Sequence, residues 1–176
     1  ISGPTAVAND TVVHALKARH PEVWVSVSAT TRPPRPTEVD GVHYHFVSNA
    51  DFDVLVATDG LLEWATVHGR DRYGTPSAPV EAAVERGERV ILEIDLQGAR
   101  QVRQRLPGAR LVFIAPPNWA ELVNRLVGRG TETAEQRERR LRTAQVELAA
   151  ADEFDHVVVN DDLGRAVDDL VSLLGL

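Results

Sequence analysis

The chain has 176 residues, with 19 basic and 26 acidic side chains, a formal charge of -7, and neither cysteine nor methionine. This length suits one ordinary domain. The absence of cysteine excludes a disulfide framework, a thiolate nucleophile and any cysteine-ligated metal site. The negative charge gives no reason to expect sequence-independent binding to nucleic acid, and no apolar run approaches the roughly 18 residues of a membrane span. Lys17 is the only lysine, and the other basic residues are arginines.

Apolar runs alternate with amphipathic stretches along the chain, which is the pattern of an α/β domain. Apolar runs predict strands over Val23–Val27, Val90–Ile94, Leu111–Ala115 and Val157–Val159. The last three runs are continuous, so we expect these strands to be buried on both faces. Helical patterns predict helices over Thr11–Arg19, Pro79–Arg86, Gln97–Arg105, Trp119–Val127, Glu135–Ala151 and Gly164–Leu174. Asn118 and Glu121 form a capping-box pattern at the start of the fourth of these helices. Because crossovers between parallel strands are right-handed, we expect a parallel sheet with helices on both faces.

Residues 30–75 break this alternation. Two proline-rich turns, the alternating run Val42–Phe46, a short helical stretch Asp51–Thr58 and a strand-like run Leu61–Val67 predict a small inserted antiparallel lobe. A second excursion, polar and rich in arginine, runs from Gly128 to Arg142.

Residues 2–11 read SGPTAVANDT and lie where a first strand meets a first helix. A phosphate-binding loop in that place has the form GxxxxGK[ST]. Counted from Gly3, Ala8 replaces the second glycine, Asn9 the lysine and Asp10 the magnesium-binding hydroxyl residue. By itself this remnant is better explained as an ordinary strand–turn–helix connection whose helix is capped by Asn9 or Asp10.

A longer pattern lies in the inserted lobe, where residues 26–46 read SVSATTRPPRPTEVDGVHYHF. This run resembles the GMP-binding lobe of guanylate kinases. The resemblance continues in family order through LEWA at 62–65, RYGT at 72–75, EIDLQG at 93–98, APP at 115–117, GRGTE at 128–132 and VNDD at 159–162. The spacing also follows the family, apart from about one extra residue between Glu63 and Tyr73.

The resemblance implies the three-layer P-loop nucleoside-monophosphate kinase fold, an α/β core of parallel sheet with an inserted GMP-binding lobe and a mobile lid. It implies one domain, with the core over residues 1–29, 76–127 and 143–176, the lobe over 30–75 and the lid over 128–142. The implied partners are GMP or GDP and ATP accompanied by Mg²⁺, and the implied location is cytoplasmic. Neither a nucleic acid nor a membrane is expected as a partner.

The resemblance also implies the residues that bind GMP, which are Ser28, Arg32, Arg35, Tyr44, Glu63, Tyr73, Thr75, Glu93 and Asp95. Arginine forks and tyrosine hydroxyls suit a phosphate. A carboxylate such as Glu63 accepts from the two neighbouring donors of guanine, and the Thr75 hydroxyl can donate to its carbonyl, so adenine would leave both groups unpaired. For Glu93 and Asp95, a structural role in capping a nearby helix is the open alternative.

Other residues match the ATP side of the family. Arg129 and Arg140 match the lid arginines that clamp the triphosphate, so they join Arg32 as catalytic candidates, while the remaining arginines of residues 137–142 are expected on a solvated helix face. Asn160 matches a position near the adenine pocket. The altered phosphate loop consists of Gly3, Pro4, Thr5, Ala6, Val7, Ala8, Asn9, Asp10 and Thr11. Asp10 is the possible direct ligand of Mg²⁺.

Three hypotheses about function follow from the altered loop. The first is a guanylate kinase homologue that binds GMP, with transfer from ATP weak or lost because the loop lacks its lysine. The alternative is a fully active, lysine-independent guanylate kinase, and a further one is a non-catalytic module that binds a phosphorylated ligand or peptide. Lys17 lies about two turns beyond the loop, so we do not expect it to replace the missing lysine.

Overall fold

Helices and strands alternate along most of the chain in the computed structural model, which describes residues 1–7, 9–67, 69–127 and 133–176. In chain order the elements are α1 (Asn9–Arg19), β1 (Trp24–Val25), β2 (Ala29–Thr30), β3 (His45–Phe46), α2 (Asn49–Ala57), β4 (Leu61–Val67), β5 (Asp71–Pro76), α3 (Ser77–Glu85), β6 (Val90–Ile91), α4 (Leu96–Arg105), β7 (Val112–Ala115), α5 (Trp119–Val127), α6 (Ala134–Ala149), a 3₁₀ turn (Ala151–Glu153), β8 (His156–Val159) and α7 (Leu163–Leu174). The α/β class is therefore confirmed. No helix in the described part of the chain has the length and apolar character that crossing a membrane requires.

The chain divides into two compact units, residues 1–21 with 110–176, and residues 22–109. In the first unit β7 and β8 pair in parallel, with Val112 opposite His156 and Ala115 opposite Val159. Ser2 lies on the other side of β7, where its N–H donates to the Val112 carbonyl at 3.0 Å and its carbonyl accepts from Ile114 at 2.7 Å. The predicted parallel arrangement is confirmed for these segments.

The apolar runs of the first unit are buried to different degrees. Phe113 and Ile114 on β7 are fully enclosed, as expected for a strand covered on both faces. On β8, in contrast, Val157 and Val159 are 52% and 42% exposed while Val158 is buried. The expectation that β8 would be buried on both faces is therefore wrong, because one face of β8 lies open to solvent.

The second unit contains a parallel pair, β1 with β6, and a four-stranded sheet of order β3-β2-β5-β4. In this sheet β5 pairs antiparallel with both of its neighbours, whereas β2 and β3 run parallel. The prediction of a purely antiparallel lobe is wrong for that pair. A parallel partner needs a crossover of a dozen or more residues, and residues 31–44 supply it. They also leave β3 as His45–Phe46, shorter than the strand predicted from Val42.

Most predicted helix ends lie within two residues of the observed ones. The Asn118 side chain accepts from the Glu121 N–H at 2.9 Å, which confirms that half of the predicted capping box. Glu121 itself instead accepts from Arg125 Nε at 3.3 Å. A complete capping box, missed in the sequence, joins Thr133 and Gln136 at the start of α6.

Strand β4 is an edge strand of its sheet among the described residues. Side chains of α4 form hydrogen bonds with the backbone along this edge. Gln101 accepts from the Trp64 N–H at 3.1 Å and donates to the Trp64 carbonyl at 2.7 Å. Arg105 donates to the Leu61 carbonyl at 2.7 Å and pairs with Asp59. Main-chain groups that another strand would have paired are thus bonded to a helix.

We expect Gln101→Ala to lower the free energy of unfolding by about 1–2 kcal/mol, because two backbone groups lose their partners. Urea unfolding of the variant measures this loss. Gln104→Ala is the control, because Gln104 is exposed on the same helix and its loss should change stability by less than about 0.5 kcal/mol. Equal losses in the two variants would show that the Gln101–Trp64 bonds add no stability.

Candidate functional site

A buried carboxylate and a buried hydroxyl face each other across β4 and β5. Glu63 and Thr75 are direct partners in the strand register, and they are 5% and 0% exposed. The Thr75 hydroxyl donates to Glu63 Oε1 at 2.6 Å. The two carboxylate oxygens of Glu63 and the Thr75 hydroxyl therefore form a compact polar site among buried apolar residues.

The N-terminal turn of α4 closes this site. Asp95 is the N-cap of α4, and its carboxylate accepts from the Gly98 N–H at 2.8 Å. A Cβ on Gly98 would lie 2.9 Å from Glu63 Cδ and closer still to Oε2. Only glycine lets the helix approach the Glu63 carboxylate in this way. The structural alternative for Asp95, helix capping, is thus confirmed.

Burial strongly alters the acidity of this carboxylate. The pKa of Glu63 is raised to about 7, mainly by desolvation and further by the negative charge of Asp95, while the hydrogen bonds from Thr75 partly oppose the increase. Burial likewise raises the pKa of Asp95, against the lowering effect of the backbone N–H groups of Gly98 and Gln97. Glu63 therefore changes its charge near neutral pH.

A second cluster in the same unit surrounds the Arg32 guanidinium. Arg32 Nε donates to the Tyr73 hydroxyl at 3.1 Å, and the guanidinium carbon lies 5.4 Å from the centre of the Tyr44 ring. The Tyr44 and Tyr73 rings meet edge to face with centroids 5.8 Å apart. Burial raises the pKa of Tyr44, and the neighbouring Tyr73 and Glu93 add to the increase. The structure thus brings together three of the residues predicted to surround a phosphate.

Glu38, to which sequence reasoning assigned no role, completes this cluster. Its carboxylate accepts from Arg32 Nη1 at 2.9 Å and from Nη2 at 2.8 Å, and also from the Arg35 N–H at 2.7 Å. The bonds to Arg32 and to the Arg35 N–H lower the pKa of Glu38 to about 2. The sequence signal that could have identified Glu38 is its position as an acidic residue close to Arg32 and Arg35 in the same turn.

The other predicted GMP-binding residues are less tightly placed. The Arg35 side chain is exposed, while Ser28 and Glu93 are half-buried. The Ser28 carbonyl accepts from the His45 N–H at 2.9 Å, which joins β2 to β3.

In the first unit, a tight turn occupies the predicted phosphate loop ahead of α1. Ala6 has a φ of 74°, a left-handed conformation that costs a residue with a Cβ about 1–2 kcal/mol. The Thr5 N–H donates to Glu147 Oε2 at 2.9 Å, and the buried Asn160 amide donates to the Val7 carbonyl at 2.9 Å. Two side chains from distant elements therefore fix the backbone of this loop.

The altered positions of the loop have distinct surroundings. The Asn9 side chain folds over Gly3, and its Oδ1 is buried without a hydrogen-bond partner among the described residues. Asp10 is exposed in the first turn of α1. Lys17, on the last turn, donates to the Pro21 carbonyl at 3.0 Å, so it does not reach back to the loop. Helix α1 begins at Asn9 itself.

Two predicted ATP-side residues differ in what the structure describes of them. Arg140 is half-buried on α6. Arg129 lies outside the described residues, as does Ala8, so their predicted roles stay predictions. The Asn160 amide is bonded to the loop backbone, and its predicted place near an adenine pocket also stays a prediction.

Comparisons with known proteins agree with one another. The family model described as guanylate kinase matches residues 1–175. The chain is 63% identical to the guanylate kinase of Cutibacterium acnes over all of its own length and 88% of that protein. It is 57% identical to the guanylate kinase of Thermobifida fusca, covering 99% of this chain and 88% of the relative. The crystal structure of guanylate kinase from Anaplasma phagocytophilum superposes with a TM-score of 0.77 at 30% identity, covering 99% of this chain and 81% of that one.

The α/β fold, with a phosphate-loop position ahead of α1, is that of the P-loop nucleoside-monophosphate kinases. Within that class, the family match and the identities to its members show that the chain belongs to the guanylate kinase family.

We expect Glu63→Gln to change the free energy of unfolding in a pH-dependent way. The gain over the native protein should be about 2 kcal/mol larger at pH 8 than at pH 5. The folded-state pKa of about 7 lies above the ordinary 4.5, so the folded state keeps its proton where the unfolded state has lost it. Stability from this group is therefore lost as the pH rises through that interval. The measurement is urea unfolding of both proteins at the two pH values.

Glu85→Gln is the matched control, because Glu85 is exposed at the end of α3. As a substitution of an exposed side chain, it should change the free energy of unfolding by less than about 0.5 kcal/mol. A gain for Glu63→Gln that did not depend on pH would contradict the raised pKa of Glu63.

Proposed function

We propose that this protein transfers the γ-phosphoryl group of ATP to GMP and forms GDP and ADP. A phosphate oxygen of GMP attacks the γ-phosphorus, and the bond between that phosphorus and the β–γ bridging oxygen breaks. Positioning and charge neutralisation supply most of the catalysis in this reaction class. The observation that carries the proposal is that one unit contains both the buried Glu63–Thr75 pair and the Arg32 cluster, in a chain whose relatives are named guanylate kinases.

Glu63 and Thr75 supply recognition of the guanine base. The ionised Glu63 carboxylate accepts from the two adjacent N–H donors of guanine. The Thr75 hydroxyl has one proton, which it now donates to Glu63. When guanine satisfies the carboxylate, that proton becomes free for the guanine carbonyl. Adenine offers the opposite arrangement of donor and acceptor, so both buried groups would lose their partners.

Arg32, Arg35, Tyr44 and Tyr73 supply recognition of the GMP phosphate. Because Tyr73 accepts from Arg32 Nε, its own O–H proton remains available to a phosphate oxygen. A phosphate held by charged and neutral donors is fixed in orientation as well as bound. Ser28, Glu93 and Asp95 complete the proposed GMP site.

The phosphate loop and the lid arginines bind ATP in this proposal. The loop backbone is held in one shape by Glu147 and Asn160. Mg²⁺ enters with ATP and neutralises phosphate charge. The carboxylate oxygen of Asp10 is a ligand of the kind that Mg²⁺ prefers. Arg129 and Arg140 supply the positive charge that position 9 lacks.

The comparisons favour an active enzyme over weak or lost transfer, because relatives 57% and 63% identical over nearly the whole chain are named guanylate kinases. A non-catalytic module that holds a phosphorylated peptide is the less favoured alternative. Such a module has no use for the buried Glu63 carboxylate and Thr75 hydroxyl.

A coupled assay of ADP formation with ATP and GMP tests the proposal, and we expect turnover that requires GMP. The combined change Ala8→Gly, Asn9→Lys and Asp10→Ser restores a charged loop contact, which is typically worth about 10²–10³ in kcat. We expect this variant to be at least about tenfold faster than the native chain.

The coupled assay, together with a calorimetric titration of GMP, has three outcomes that would decide between the hypotheses. GMP binding by calorimetry without any turnover would contradict phosphoryl transfer and leave a GMP-binding protein. Absence of GMP binding would favour the phosphopeptide module. Equal rates for the native chain and the restored variant would show that the loop does not limit transfer.

We expect guanosine binding to weaken about tenfold for each pH unit below 7, because the ligand requires ionised Glu63, whose pKa is about 7. Guanosine is used because the GMP phosphate titrates near pH 6 and would obscure the effect. Calorimetry between pH 5.5 and 8.5 measures the dependence. Glu63→Gln should bind weakly at every pH, and a pH dependence that persisted in this variant would assign it to another group.

A further inference from the structure

The Glu38 carboxylate is built into the turn that carries the two arginines of the proposed phosphate site. It bridges Arg32 and the backbone of Arg35 with three hydrogen bonds of 2.7–2.9 Å. The side chains of Arg32 and Glu38 are 15% and 11% exposed. Other groups therefore cover most of both side chains, and the guanidinium also lies over the Tyr44 and Phe46 rings, 5.4 and 5.8 Å from their centres.

The hydrogen bonds of Arg32 show which of its edges remains for a ligand. A guanidinium has five N–H groups in one plane. Glu38 takes the end edge, through one N–H each of Nη1 and Nη2, and the Pro33 carbonyl takes the second N–H of Nη1 at 2.8 Å. Nε donates to the Tyr73 hydroxyl at 3.1 Å. The remaining Nη2–H points along the side edge that Nε and Nη2 share.

This arrangement directs two donors toward the same place. Tyr73 lies at the side edge of Arg32 as an acceptor, so its own O–H can be donated onward. An oxygen that accepts from the Nη2–H would lie beside the Tyr73 hydroxyl and accept from it as well. Without Glu38, the long arginine side chain would sample other rotamers and this pairing would have to form anew on binding.

We propose that Glu38 is a positioning residue, which holds the Arg32 guanidinium by its end edge so that the side edge, together with the Tyr73 hydroxyl, receives the phosphate of GMP. The proposal rests on the function proposed above. Glu38 does not touch the nucleotide and acts through Arg32. Its bond to the Arg35 N–H ties the second arginine to the same turn.

Calorimetry at pH 8 with GMP and with guanosine as the two probes tests this role. In Glu38→Ala we expect the Kd for GMP to rise about tenfold, the loss typical of a preorganised long side chain, while the Kd for guanosine stays unchanged. In Glu38→Gln the logarithm of the Kd for GMP should rise about half as much, because the glutamine amide still offers one acceptor oxygen. Glu85→Ala removes one exposed negative charge from the same unit and should change neither constant.

A double-mutant cycle with Arg32→Ala separates action through Arg32 from a direct effect. If Glu38 works through Arg32, removing Glu38 in the Arg32→Ala background should change the Kd for GMP less than twofold. Additive effects in the cycle would overturn the proposal.

Other outcomes are also decisive. Unchanged or tighter GMP binding in Glu38→Ala and Glu38→Gln would overturn the positioning role and show that the carboxylate competes with phosphate or is idle. An equal loss for guanosine would show a purely structural role. If the native protein bound guanosine but gained nothing from the GMP phosphate, the proposed phosphate site itself would be wrong, which is a different result from a silent Glu38 substitution.

Discussion

The pairing of β4 with β5 determines the geometry of the proposed base site. This register places Glu63 opposite Thr75, and the outer edge of β4 is bonded to α4 through Gln101 and Arg105. The same helix presents Gly98 to the Glu63 carboxylate. The edge of β4, the start of α4 and Gly98 therefore all contribute to the position of the Glu63 carboxylate. A shift of one residue in the strand register would turn Glu63 to the other face of the sheet.

Recognition of guanine conflicts with stability at Glu63. Water is excluded around this carboxylate, which raises its pKa to about 7 and makes its ionised form costly in the free protein. The same exclusion strengthens discrimination, because a wrong base leaves buried groups unpaired. The Arg32–Glu38 pair differs from Glu63, because in our proposal a fixed internal anion keeps a half-buried guanidinium oriented before a phosphate binds.

The described residues of the loop ahead of α1 form a tight turn. Glu147 and Asn160 bond to its backbone, so its shape does not depend on the side chains at positions 9 and 10 alone. The motif has a glycine at the position of Ala8. Among the described residues of the loop, the left-handed one is Ala6, because the turn closes there between Pro4 and Val7.

The sequence by itself determined the α/β class, most helices and the family, since apolar periodicity, caps and motif order are local or linear properties. It also predicted that Glu63, Thr75, Arg32 and Tyr73 belong to a GMP-binding site, which stays a prediction. It missed β5, whose DRYGTP run lacks an alternating pattern, and it predicted the wrong direction for the β2–β3 pair. Only the tertiary structure decided the parallel direction of β3, the hydrogen-bond partners of Glu38 and the raised pKa of Glu63. Direction, hydrogen-bond partners and desolvation depend on which distant segments meet, and no local pattern of residues carries that information.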